Sequence, residues 1–256
     1  MSGALVAGIL DQQTKCSGWA VAIFLDSAIP DEARQAFGLG YVRGITTNPV
    51  LLSRAMHSSH EVLRELCQIC PGTVFYQLTA RTVAGRKSEG EQILQLQEKW
   101  WEEAPAQTAV AGVTDPVSPV IGTLGLKIPA STENMALVSE FARLGVDVAV
   151  TAMFSLSQAY VACEAGATYL LPYANRFTRL RGDGVSFVRQ LAEICRATDR
   201  GTRVLAASIK SPHEAVQVLI AGACHVSMPL SVLLAMGHDP LSVQAVAEFD
   251  QAAASA

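Results

Sequence analysis

Short apolar segments rich in β-branched residues alternate with segments of helical periodicity along most of the chain. Continuous apolar segments of about five to eight residues are typical of strands buried on both faces of a parallel sheet. Eight strands are predicted, at 20–27, 42–47, 73–79, 124–129, 147–153, 168–174, 203–208 and 225–230. Helices are predicted at 30–39, 60–70, 86–103, 132–144, 155–165, 185–198, 212–221 and 230–237, with a further C-terminal helix at 241–254.

Eight strand–helix units predict an α/β fold, a closed (β/α)₈ TIM barrel with an additional C-terminal helix, as a single domain over 1–256. A doubly wound open sheet is the alternative, but such a sheet usually carries a glycine-rich phosphate loop after its first strand. The first strand here ends in "FLDSAIPDE", without that loop, so the barrel is favoured. We expect an N-terminal extension at about 1–19 and an inserted Pro/Gly/Thr-rich loop at about 104–123.

Composition and charge exclude several functional classes. Half of the 256 residues are hydrophobic, as expected of a globular chain, and the net charge of −4 argues against a nucleic-acid partner. No apolar run approaches the roughly 18 residues that span a bilayer, so no membrane partner is expected. The N-terminus lacks the basic segment of a secretory signal, and we therefore expect a cytoplasmic protein.

Six cysteines are spread along the chain, and Cys67 and Cys70 form a C-x-x-C motif. No second cysteine or histidine pair follows at zinc-finger spacing. We interpret this motif as a pair of reduced core cysteines, since free cysteine is often simply buried. No metal site is predicted.

Polar residues lie where the predicted strands end, which is where the working residues of α/β barrels are found. These residues are Asp26, Thr46, Asn48, Gln77, Lys127, Thr151, Tyr173, Asn175, Arg176, Ser208 and Lys210. Taken singly, several have structural interpretations: Asp26 as a helix cap, Asn48 as turn chemistry before proline, Thr151 as a strand former. Their joint placement at one end of successive strands favours a functional site.

Lys127 stands inside the apolar segment "LGLKIPAS", where an ammonium group is costly unless it is paired or deprotonated. Either its amine reaches solvent, or its pKa is lowered and the neutral amine can attack a ketone to form a Schiff base. Asp26 is the carboxylate of this group and is expected to transfer protons. A water held by Gln77, Thr151 and Tyr173 could carry protons at the Schiff-base nitrogen. Three further residues, Arg176, Ser208 and Lys210, with the helix that Ser211 caps, would suit an anionic substrate end.

Several segments resemble the transaldolase family, and within it the short branch that includes fructose-6-phosphate aldolase. They are "FLDSA", "GITTNPVLL", "LKIPAS", "TAMFSLSQAYVACEAGATYLLPYANR", "GDG", "VLAASIKSP" and "AGACHVSMPL", which together span about 22–252. The resemblance implies a class I, metal-independent enzyme that forms a Schiff base and needs no cofactor. It identifies Lys127 as the Schiff-base lysine, Asp26 as the acid/base, Asn48 and Thr151 as active-site positions, and Arg176, Ser208 and Lys210 as phosphate-end positions.

The resemblance also bears on the reaction. The Gln77 and Tyr173 pair looks like the aldolase branch, where transaldolases proper usually carry glutamate and phenylalanine. Leu171 stands where the family keeps a small residue beside the dihydroxyacetone unit, so it is expected to narrow the donor site. An aldolase is expected to make or break a C–C bond between a dihydroxyacetone-type ketone and an aldehyde or aldose phosphate. A transaldolase, and a non-catalytic barrel that binds sugar phosphate, remain open as alternatives. The expected partners are a sugar or sugar phosphate and further copies of the chain, as a pentamer or decamer.

Overall fold

In the computed structural model, residues 21–55, 57–103 and 121–254 are described. Within these ranges eight parallel strands form a closed barrel in which each strand pairs with the next along the chain and β1 pairs with β8. The strands are β1 Ala22–Asp26, β2 Val42–Thr46, β3 Thr73–Gln77, β4 Thr123–Pro129, β5 Val148–Met153, β6 Tyr169–Pro172, β7 Arg203–Ala206 and β8 His225–Met228. The predicted (β/α)₈ barrel is confirmed.

Helices connect the strands and follow the last one. Those in the described part of the chain are α1 Pro30–Gly38, α2 Pro49–Leu52, α3 Ser59–Ile69, α4 Val83–Glu102, α5 Met135–Arg143, α6 Leu156–Glu164, α7 Ala174–Arg181, α8 Gly184–Thr198, α9 Pro212–Ile220, α10 Leu230–Ala235 and α11 Pro240–Ala254. The predicted C-terminal helix is confirmed as α11. The short helices α2 and α7 were not predicted. The N-terminal extension and most of the predicted insertion lie outside the described residues.

Local sequence explains where several helices begin. Ser58 and Glu61 form a reciprocal capping box at the start of α3, and Ser155 and Gln158 form another at α6. Asp183 accepts two backbone N–H groups at the start of α8. Such caps satisfy the donors that every helix N-terminus leaves unpaired, so they fix the point at which each connection turns back along the barrel.

The strand alternation divides the core into two layers. Residues such as Leu126, Ile128 and Val150 belong to the large cluster between the strands and the surrounding helices. Their chain neighbours point the other way, because successive side chains in a strand face opposite sides. A smaller cluster inside the barrel contains Phe75 and Ala149, each the neighbour of a residue in the outer layer.

An aromatic layer fills the middle of the barrel. Five ring pairs with centroid distances of 5.5–6.3 Å, mostly in edge-to-face geometry, link Phe24, Phe75, Tyr169 and His225. Glycine makes room for it: a Cβ at Gly125 would lie 2.5 Å from the Phe75 ring. This layer fills the interior of the barrel, so the polar residues at the carboxyl ends of the strands lie above a packed core and not around an open channel.

None of the helices in the described ranges is both long and apolar enough to cross a bilayer.

Candidate active site

Lys127 lies inside the barrel near the carboxyl end of β4. Its neighbours Leu126 and Ile128 face the helices, so the lysine faces inward, and only 3% of its surface is exposed. The Nζ group donates a hydrogen bond of 2.8 Å to the backbone carbonyl of Thr47. Burial lowers the Lys127 pKa to about 8, while the charge of Asp26 acts in the opposite direction. Strand β4 continues past Lys127 because Leu126 and Ile128, on either side of it, pack against the surrounding helices.

Asp26 ends β1 and accepts the last hydrogen bond in a chain of two hydroxyl groups. Thr46 Oγ1 donates to Asp26 Oδ1 at 2.9 Å, and the hydroxyls of Thr46 and Ser227 lie 2.6 Å apart. Since Thr46 gives its one proton to Asp26, Ser227 is the donor to Thr46. Asp26 does not cap α1, so its structural interpretation as a helix cap is wrong. Ser227 was not predicted as a site residue.

Gln77, Thr151 and Tyr173 come from β3, β5 and the end of β6. Gln77 pairs with Lys127 in the register of β3 and β4, and its buried Oε1 has no hydrogen-bond partner among the described residues. Thr151 Oγ1 donates to the Tyr173 hydroxyl at 2.9 Å. The tyrosine hydroxyl proton thus remains available to a further acceptor, and Gln77 supplies an acceptor.

Leu171 lies inside the barrel next to this group. It is fully buried, it pairs with Thr151 in the register of β5 and β6, and it belongs to the inner apolar cluster with Ala149, Leu205 and Ala207. The inward-facing residues of β5, β6 and β7 around Leu171 are therefore apolar.

Strand β6 is shorter than predicted, which changes the placement of three residues. It ends at Pro172, Tyr173 is the N-cap of α7, and Asn175 and Arg176 lie in the first turn of that helix. The prediction that Asn175 and Arg176 end a strand is wrong for that reason, whereas Tyr173 forms a parallel bridge with Ala207 directly after β6. The exposed Arg176 guanidinium lies 4.8 Å from the centre of the Tyr173 ring, a cation–π contact.

Strand β7 also ends early, at Ala206, so Ser208 and Lys210 lie in the connection to α9 and not on the strand. Ser208 has φ 63, in the left-handed region that costs a non-glycine residue free energy. The exposed Lys210 donates its backbone N–H to Glu214, and Ser211 accepts the N–H of Glu214 at the start of α9. Ser208 and Lys210 thus precede the N-terminal end of a helix, as predicted.

Asn48 follows β2 and caps α2. Its Oδ1 accepts the backbone N–H groups of Val50 and Leu51, both at 3.0 Å. The amide oxygen of Asn48 is therefore engaged locally, whereas its NH₂ group is not used in this cap.

The remaining chemistry concerns metals and thiols. No group of three or more metal-ligating side chains occurs within residues 21–55, 57–103 and 121–254. Cys67 and Cys70 are buried and not disulfide-bonded, and burial raises the pKa of each thiol to about 12. Their interpretation as core cysteines is confirmed.

A closed parallel barrel whose polar side chains converge at the carboxyl ends of its strands is typical of (β/α)₈-barrel enzymes. The chain matches the family described as "Transaldolase/Fructose-6-phosphate aldolase" over residues 23–256. The chain therefore belongs to that family, and it is an enzyme of transaldolase-like type.

Individual relatives agree with this assignment. The chain is 33% identical over 227 residues to a probable transaldolase of Herpetosiphon aurantiacus, covering 89% of this chain and 92% of that protein. It is 30% identical over 226 residues to a probable transaldolase of Geobacillus kaustophilus, covering 88% and 95%. A probable transaldolase of Parabacteroides distasonis is 30% identical over 230 residues, covering 88% and 94%.

Proposed function

We propose that the chain is a class I, metal-independent aldolase that makes or breaks a C–C bond through a Schiff base on Lys127. The observation that carries the proposal is this buried amine, whose hydrogen-bond acceptor is a neutral carbonyl and whose pKa lies near 8. At pH 7.5 roughly a quarter of such amines are neutral, against roughly one in a thousand at the usual lysine pKa. The neutral form attacks the ketone, and the iminium that follows loss of water accepts the electron pair of the cleaved bond. No bound cofactor is needed for this step.

Asp26 is proposed to take the proton from the hydroxyl group of the substrate as the C–C bond breaks, and to return it in the reverse direction. The chain of hydroxyls from Ser227 through Thr46 fixes the orientation of the carboxyl group, because one of its oxygens is already hydrogen-bonded. The other oxygen is left to face the substrate. Thr46 and Ser227 therefore act as positioning residues.

Gln77 and Tyr173 are proposed to hold the water that carries protons at the Schiff-base nitrogen. The unpartnered Gln77 Oε1 supports an acceptor role, and the bond from Thr151 orients the tyrosine hydroxyl as a donor. Such a water can protonate the enamine carbon. Hydrolysis of the resulting iminium by water then releases the three-carbon ketone and the free Lys127 amine without an acceptor aldehyde.

Sugar phosphates are the proposed substrate class, since the matching family includes fructose-6-phosphate aldolase. The phosphate end is proposed to bind Arg176, Ser208 and Lys210 near the start of α9, with Asn48 and Asn175 contacting the hydroxyl groups. Leu171 is proposed to limit the size of the ketone unit that fits beside Lys127. An oligomer of identical chains and a cytoplasmic location remain part of this proposal.

Transfer of the three-carbon unit to an aldose phosphate is the second candidate, because the relatives carry the name probable transaldolase. Incubation with fructose 6-phosphate alone separates the two reactions. Free dihydroxyacetone formed without an acceptor supports the aldolase. Cleavage of fructose 6-phosphate that requires an added aldose phosphate, with the three-carbon unit recovered in a new ketose phosphate, supports the transaldolase.

Two variants sharpen this experiment. Gln77→Glu with Tyr173→Phe is expected to move the product balance towards transfer, because the second change removes the proton donor of the proposed water. Lys127→Met is expected to abolish both reactions. Full activity of Lys127→Met would contradict the Schiff-base proposal, and stabilisation by phosphosugars without turnover would favour the non-catalytic binding barrel.

A further inference from the structure

Strand β5 carries one extra residue near its carboxyl end. Thr151 pairs with Leu171 and Met153 pairs with Pro172, so Ala152 has no counterpart on β6 and forms a bulge. Ala152 has φ 55, a left-handed conformation that is unfavourable for a residue with a Cβ atom. Contacts with the surrounding chain must therefore hold the bulge, which directly follows the Thr151 hydroxyl of the candidate active site.

Gln158, in the first turn of α6, binds the chain that follows this bulge. Its Oε1 accepts the backbone N–H groups of Phe154 and Ser155 at 3.0 and 3.1 Å. Its Nε2 donates to the backbone carbonyl of Ala130 at 3.1 Å, and Ala130 directly follows β4. One side-chain amide thus joins the ends of two neighbouring strands, β4 and β5.

The partners of Gln158 require a side chain with both an acceptor and a donor. Among the described residues its oxygen bonds to donors and its nitrogen to an acceptor, so these partners fix the orientation of the amide. The capping box with Ser155 needs only the acceptor, and a glutamate would complete it equally well. The bond to the Ala130 carbonyl is therefore the contact that requires an amide at this position.

Both strand ends that this amide joins carry residues of the candidate active site. Lys127 lies three positions before Ala130, and Thr151 lies three positions before Phe154. The Ala130 N–H donates to the Thr151 carbonyl at 2.8 Å, so the two ends are adjacent. The Phe154 and Tyr173 rings pack edge to face with centroids 6.4 Å apart, and the Thr151 hydroxyl donates to Tyr173. A shift of the chain after β5 would therefore move this pair of hydroxyls relative to the lysine amine.

We propose that Gln158 is a positioning residue for the Lys127 site. By joining the end of β5 to the end of β4, it fixes the Thr151 and Tyr173 hydroxyls relative to the amine. The inference rests on the proposed Schiff-base function, because those hydroxyls act on the reaction at Lys127. Small displacements of reacting groups slow a reaction steeply, so a loosened β5 end lowers turnover in a chain that is still folded.

Gln158→Glu separates the two contacts of the amide. The introduced carboxylate keeps the acceptor of the capping box and suits the first turn of a helix, but it cannot donate to the Ala130 carbonyl. The kcat for cleavage of fructose 6-phosphate at pH 7.5 should therefore fall about tenfold. Because Gln158 acts through the β5 end and not on the substrate, KM should change less than about twofold. The melting temperature should fall by no more than about 4 °C, and kcat is measured where both proteins are folded.

Two further variants complete the test. Gln190→Glu makes the same substitution on the exposed face of α8 and should keep the kcat of the wild type. Gln158→Met removes both contacts of the amide without adding a charge, and its kcat should fall at least as far as that of Gln158→Glu. Wild-type kcat in either Gln158 variant, or a raised KM with unchanged kcat, would overturn the proposal.

Trapping of the wild type with dihydroxyacetone and borohydride separates this proposal from the proposed function. An adduct on Lys127 together with wild-type kcat in the Gln158 variants would overturn the positioning role alone. A wild-type chain that forms no adduct on Lys127 would refute the Schiff-base function, and the positioning role with it.

Discussion

Replacing Lys127 by methionine removes the buried amine and keeps an unbranched side chain of similar volume. In the folded chain the amine has a pKa of about 8 instead of its usual 10.5, because burial disfavours the charged form. At 1.36 kcal/mol per pKa unit this difference corresponds to about 3 kcal/mol of lost stability at neutral pH. The variant also leaves the Thr47 carbonyl without its donor, which costs about 1 kcal/mol. We therefore expect Lys127→Met to be more stable than the wild type by about 2 kcal/mol at pH 7.

The extra stability of Lys127→Met over the wild type should decrease as pH rises. Because the folded-state pKa is lower than the unfolded-state pKa, the unfolded chain binds more protons between pH 8 and pH 10.5. The stability of the wild type therefore rises with pH across that window, whereas the methionine variant gains nothing from this group. By pH 9.5 the difference in stability between the two proteins should fall to less than about 0.5 kcal/mol.

Urea unfolding at pH 7 and pH 9.5, at equal protein concentration, measures this difference in the free energy of unfolding. Lys99→Met, on the exposed face of α4, controls for the loss of a lysine charge and should change stability by less than about 0.5 kcal/mol. Equal stability of wild type and Lys127→Met at both pH values would refute the lowered amine pKa.

Three further substitutions test other parts of the structure. Asp26→Asn removes the charge that raises the Lys127 pKa and the proposed proton shuttle, so turnover should fall at least about 100-fold while adduct formation at Lys127 persists. Burial lowers the His225 pKa to about 4, so the unfolded chain binds the proton first as pH falls from about 6.5 to about 4, and the folded chain loses stability. His225→Phe should remove this part of the loss of stability in acid. Urea unfolding of wild type and variant at pH 7 and pH 4.5 measures this change in the free energy of unfolding. Gly125→Ala should lower stability by about 1–3 kcal/mol, measured by thermal unfolding, since its Cβ would lie 2.5 Å from the Phe75 ring.

Each of these substitutions has a matched control. Asp31→Asn and His238→Phe change exposed residues of the same types, and neither should reproduce the effect of its counterpart in the barrel, Asp26 or His225. Gly38→Ala places a Cβ where no atom lies within 4 Å. An equal loss of stability for the Gly38 and Gly125 variants would contradict the packing explanation. Unchanged turnover in Asp26→Asn, or an unchanged pH dependence in His225→Phe, would contradict the other two predictions.

The strand pattern was sufficient to predict the barrel, because buried parallel strands leave continuous apolar segments that local sequence shows directly. It was also sufficient to locate Lys127, since a lysine between Leu126 and Ile128 has no simple structural explanation. The short helices α2 and α7 escaped prediction because four and eight residues are too few to establish a helical period. Both helices begin soon after a strand, so their N-cap residues, Asn48 and Tyr173, were assigned to strand ends.

The sequence pattern could not predict contacts between residues that lie on different strands of the barrel. Ser227 lies 181 positions from Thr46 along the chain, and only closure of the barrel brings their hydroxyls together. The aromatic layer around Phe24 and Tyr169 likewise depends on which residues of different strands share a level, which is set by register. The Thr47 carbonyl that binds the Lys127 amine is a backbone atom, which residue types cannot indicate.

Reductive trapping at Lys127 is the most direct test of the account. The protein is incubated with dihydroxyacetone and borohydride at pH 7.5, digested and analysed by mass spectrometry. We predict one added group of about 74 Da, the reduced Schiff base of a three-carbon ketone, on the peptide that contains Lys127, and no such group in Lys127→Met. An unmodified Lys127 in a chain that cleaves fructose 6-phosphate would contradict the account.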